Sequence, residues 1–116
     1  NTSIHTYINN NHKKLTDEQI QDLKNINQYY SELLMQTSKD FTNNDFYNFE
    51  KKRVALDEKL TLALNNQIER IQQQKVGQKS ATLFFTILTE VEYTVDRIEK
   101  LVKLYDEINN QIRIKN

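Results

Sequence analysis

Glu92 and Asp96 come nearest to a chemical site in this 116-residue sequence. Four residues apart on a helix, their carboxylates share one face beside the apolar positions Val91 and Val95. Oxygen ligands grouped in this way suit hard cations or carboxylate-bound iron. Two like charges at that spacing otherwise cost about 0.2–0.5 kcal/mol on an isolated helix, and a bound cation or a basic partner reverses the sign. A simpler use of the charges is also open. Lys100 follows Asp96 by four residues, and Lys103 follows Glu99 by four.

Other chemistries find less support. Cysteine is absent, which removes thiol catalysis and leaves the redox compartment unreadable. The histidines, His5 and His12, lie in a polar segment at a spacing that matches no metalloprotease motif, and read as surface residues. A single glycine, Gly77, excludes a glycine-rich phosphate loop. The six Tyr and five Phe mostly fall on apolar helical faces, so they are expected in the core. No catalytic residue and no cofactor is expected.

Composition fixes the elements that must carry these side chains. One Gly and no Pro point to an all-α chain, because tight turns of a multi-stranded sheet need such residues. The length suits one domain burying about 65% of its unfolded surface. Sixteen basic and sixteen acidic residues cancel, which argues against a nucleic-acid partner or a broad anionic-membrane surface. No apolar run approaches the ~20 residues that span a bilayer. A first residue of Asn fits a processed protein or a piece of a longer one.

Residues 1–15 read as a polar, Asn-rich lead-in or linker with Ile4, Tyr7 and Ile8 as apolar points, and the domain is expected over residues 16–116. Thr16 and Gln19 form a capping-box pattern, with Asp17 and Glu18 at the positive end of the helix dipole. Ile20, Leu23, Ile26, Tyr30, Leu33, Leu34 and Thr37 mark one face of a helix ending near Phe41. The cluster Thr42-Asn43-Asn44-Asp45 then makes a turn. Phe46, Phe49, Leu56, Leu60, Leu64, Ile68 and Ile71 mark the second helix, whose basic block at Lys51, Lys52 and Arg53 reads as a solvated face. Arg53 interrupts the stripe, with its stem along the core and its charge at the edge.

Gly77 is expected at the C′ position that ends this helix, and Ser80 opens the third. The third stripe runs through Phe84, Ile87, Leu88, Val91, Val95, Ile98, Leu101, Val102, Tyr105, Ile108 and Ile112. Helices of roughly 25 to 35 residues joined by short turns imply an elongated antiparallel three-helix bundle.

Ile68-Glu69-Arg70-Ile71, the loop with Gly77, Ser80-Ala81-Thr82-Leu83-Phe84-Phe85 and Val91-Glu92-Tyr93-Thr94-Val95-Asp96 resemble the PhoU-like helical domain. That domain occurs in phosphate-uptake regulators and at the cytoplasmic C-terminus of bacterial sodium/phosphate cotransporters. The resemblance covers residues 15–108. It implies a regulatory cytoplasmic domain of an inner-membrane, sodium-dependent phosphate transporter, acting by docking against the transmembrane portion or another copy. The alternative is a structural or protein-interaction bundle unrelated to phosphate.

The family carries paired acidic motifs that hold metal clusters in some members, which makes Asp57, Glu92 and Asp96 the candidate metal ligands here. This sequence departs from the motif at Arg53, which stands where the first acid belongs, and at Arg97, which replaces a histidine. A guanidinium donates no electron pair to a metal. An Arg53–Asp57 ion pair in place of a metal is the expectation.

Overall fold

The second helix to form along the chain is set by its cap. In the computed structural model, which describes residues 4–11 and 14–115, Thr16 accepts from the Gln19 backbone N–H at 3.2 Å. Gln19 Oε1 in turn accepts from the Thr16 N–H at 2.9 Å, completing the capping box. Helix α2 then runs Asp17–Asn43 and buries Ile20, Leu23, Ile26, Tyr30, Leu33 and Thr37, the face its spacing predicts. Asn44 ends it in a left-handed conformation, φ 56°, which asparagine tolerates better than most residues.

Helix α3, Tyr47–Gln72, returns after this short turn and packs along α2 more extensively than any other two helices pack. It ends differently from the expectation. Gln74, not Gly77, takes the left-handed position, φ 57°, and the Gln74 and Lys75 N–H groups donate back to Ile71 and Arg70 carbonyls at 3.0 and 2.9 Å. Gly77 instead starts α4, its carbonyl accepting from the Ala81 N–H at 3.0 Å.

Helix α4, Gln78–Lys115, has 38 residues and lies against both α2 and α3. Phe84, Ile87, Leu88, Val91, Val95 and Val102 are its buried face. At the α2–α3 turn, Asn44 Oδ1 accepts from Tyr105 Oη at 3.2 Å and Asn109 Nδ2 at 3.0 Å. Phe41, Phe46 and Tyr105 stack edge-to-face there, with centroids 4.8 to 5.7 Å apart.

The described residues form four helices rather than three, and no strand. The additional one is α1, Ile4–Asn11, within the segment read as a lead-in. Ile4 and Ile8 recur one turn apart, and with Leu15 they enter the same core as α2 and α4. Two buried isoleucines on one edge, with Leu15 beyond the helix end, dock a short helix that could not persist alone. His12 and the side chains of His5 and Tyr7 lie outside the described residues. The molecule measures 61 × 24 × 17 Å, with a radius of gyration of 17.0 Å. A compact chain of this length would have about 13 Å. The length of α4 accounts for the elongation, since 38 residues span about 57 Å.

Candidate functional site

Arg53 lies on α3 with Asp57 one turn later and Asp96 opposite on α4. Its Nε donates to Asp57 Oδ1 and Oδ2 at 3.1 and 3.2 Å, and its Nη2 donates to Asp96 Oδ1 at 2.8 Å. The Arg53 side chain is 15% exposed, against 50% and 57% for the two aspartates. The stem therefore fills the stripe position while the charged end meets its partners at the rim. Burial works to lower the Arg53 pKa, but hydrogen bonds and charge from Asp96 and Asp57 outweigh it, and the pKa rises above its ordinary value. The positive charge is permanent.

Of the sequence candidates, Asp57 and Asp96 come together on Arg53, whereas Glu92 stays exposed one turn away. Asp96 thus pairs across to α3 rather than with Lys100, while Glu99 and Lys103 do approach each other, at 3.9 Å. A metal cluster does not fit these residues. A cation would have to displace a guanidinium already bonded to two of the three carboxylates. Among the described residues, no three His, Cys, Asp or Glu side chains group to hold a metal ion.

A second polar cluster, at the opposite end of the α2–α3 pair, escaped the sequence reading. Gln19, Gln67 and Arg70 are buried there, whereas Leu64, Ile68 and Ile71, expected in the core, are 40%, 43% and 41% exposed. The capping glutamine does double duty: Gln19 Oε1 also accepts from Ser80 Oγ at 2.7 Å, and Gln19 Nε2 donates to Gln67 Oε1 at 3.3 Å. Arg70 Nε donates to the same Gln67 oxygen at 2.9 Å, and Arg70 Nη1 donates to Asp22 Oδ2 at 2.9 Å. Arg70 Nη2 is buried without a hydrogen-bond acceptor, and the guanidinium lies 5.2 Å from the centre of the Phe84 ring.

This cluster joins α2, α3 and the start of α4 through side chains that each need a partner from another helix. The adjoining cleft, bordered by Glu18, Asp22, Glu69, Arg70 and Lys75, mixes both signs of charge. The Asp22–Arg70 ion pair at its wall ties α2 to α3.

The third feature is apolar. Leu101, Leu104, Ile108 and Ile112 on α4 are 55%, 53%, 47% and 53% exposed. Upstream on the same side, Tyr93 is exposed, with the Arg97 guanidinium 5.5 Å from its ring centre. Sequence periodicity assigned Leu101, Ile108 and Ile112 to the core. They turn outward because Ile98, Val102 and Tyr105 already fill the inward side, and because α4 runs past the α2–α3 turn that Asn109 touches. No helix among the described residues is long and apolar enough to cross a membrane. In comparisons with known proteins, the chain matches no family model, no curated protein and no solved structure.

Proposed function

We propose that this chain is a non-catalytic helical docking module that works through the exposed face of α4. The observation that carries the reading is the apolar stripe from Leu101 to Ile112, continuous over three turns and left half-exposed by the fold. Contiguous exposed apolar patches of this kind are where soluble proteins meet partners. The two polar clusters support it, since their charged groups are committed to holding helices together.

The narrower form of the proposal is a PhoU-like regulatory domain of a sodium-dependent phosphate transporter, cytoplasmic and attached to an inner-membrane protein. It rests on the sequence resemblance along α3 and α4. Its partner would be the transmembrane portion of the same protein or another copy of this chain. A bundle unrelated to phosphate is the second reading, favoured by Arg53 standing where the resemblance calls for an acid.

Phosphate uptake by the intact protein carrying Leu101→Glu and Leu104→Glu separates these readings. Changed uptake with normal membrane insertion supports the regulatory form. Unchanged uptake with loss of a bound partner supports the second reading. Unchanged uptake and unchanged partners refute the docking module.

A further inference from the structure

Resting on the docking reading, we infer that the α4 stripe pairs antiparallel with the α4 stripe of a second copy of this chain. The argument starts from angular position. At 3.6 residues per turn, Arg97, Leu101, Leu104 and Ile108 fall within about 60° around the helix axis. The core-facing residues Ile98, Val102 and Tyr105 lie to one side of this stripe. Lys100 and Glu107, both exposed, border it on the other. The arrangement is a heptad seam in which Leu101 and Leu104 are successive contact positions and Lys100 and Glu107 are the flanking charges.

An antiparallel partner makes this pattern self-complementary. When Leu101 faces Leu104 of the second copy, Leu104 faces Leu101 by symmetry, and Ile108 meets the Arg97 stem. The same register sets Lys100 opposite Glu107 of the second copy, twice across the two-fold axis. A parallel pair would place Lys100 beside Tyr105 instead, leaving both charges unmatched. The closed two-fold contact is also the commonest symmetry of soluble oligomers. The chain's formal net charge of zero adds no bulk repulsion between copies.

Sedimentation velocity of the chain at concentrations up to roughly 1 mM tests the inference. The expected result is a concentration-dependent shift from the 13.9 kDa monomer to a dimer of twice that mass. Leu104→Glu, at a position already 53% exposed, should leave the helical circular dichroism and melt intact and abolish the shift. Lys100→Glu alone and Glu107→Lys alone should each weaken self-association about tenfold, because each turns two attractions into two repulsions. An equimolar mixture of those two variants should recover dimerisation, since opposite charges then meet at both ends.

A wild-type chain that stays monomeric throughout overturns the inference, as does a dimer indifferent to Leu104→Glu and to the charge exchange. The docking module itself is judged separately, by the uptake and partner measurements on the intact protein. A monomeric chain whose stripe substitutions still alter uptake refutes the second-copy inference and leaves the docking module standing.

Discussion

Arg70→Met removes the centre of the buried polar cluster, and the structure sets the size of the effect. The arginine loses its 2.9 Å ion pair to Asp22, its 2.9 Å bond to Gln67 and its contact with the Phe84 ring. Side-chain exposures of 7% and 14% place the ion pair inside the protein, where breaking one partner costs about 3–5 kcal/mol. Asp22 keeps a long 3.4 Å bond from Asn66 and borders an open cleft, so water can reach the abandoned carboxylate. The expected loss therefore sits at the lower end, about 3 kcal/mol. For a chain of this length that corresponds to a fall of roughly 12 °C in Tm.

Urea and thermal unfolding followed by circular dichroism measure the Arg70→Met loss directly. Adding Asp22→Leu to Arg70→Met removes the stranded charge and should regain at least about 1 kcal/mol. A loss below about 1 kcal/mol for Arg70→Met would refute the reasoning, because the pair would then behave as a solvated surface contact.

Arg53→Ala should cost only about 1 kcal/mol in the same unfolding assay, since its aspartate partners are half-exposed and screened. Elemental analysis of the purified chain should find no stoichiometric iron, zinc or manganese; about one ion per chain, lost on Glu92→Ala or Asp96→Ala, would contradict the Arg53 clamp. Gln74→Gly should stabilise by up to about 1 kcal/mol by relieving the left-handed backbone. Gly77→Ala should be neutral or slightly stabilising, because an added Cβ meets nothing within 4 Å.

Burial raises the Tyr30 phenol pKa above 10.0, so the folded state holds this proton more tightly than the unfolded chain does. That contribution is complete below pH 10 and is lost as pH climbs towards the folded pKa. Unfolding free energies measured across that range should fall for the wild type and fall less for Tyr30→Phe.

Local signals carried the parts of the fold that local physics decides. The capping box at Thr16 and Gln19 and the Ile20 to Thr37 stripe are satisfied within one helix and its neighbour, so periodicity sufficed for α2. The second half of α3 defeated the same rule. Its apolar residues Leu64, Ile68 and Ile71 predict one buried face, yet Ala63, Gln67 and Arg70 occupy it. Gln67 and Arg70 turn inward because Gln19 and Asp22 wait for them, nearly fifty positions earlier in the chain. Gln67 and Arg70, three residues apart in line with Leu56, Leu60 and Ala63, were the available clue. Arg53 was legible because its Asp57 partner is local, whereas its bond to Asp96 depends on how α4 seats. Glycine proved a poor guide to the end of α3, since Gln74 accepts the strained conformation and Gly77 serves the next helix.

Photocrosslinking from position 104 in the intact protein tests the central claim, that the exposed α4 stripe is a working surface. A photoreactive side chain replacing Leu104 should give a defined adduct with another copy or with a partner protein. The same group replacing Asp106, exposed on the other side of α4, should give none. Equal adducts from both positions, or none from position 104, would contradict the account.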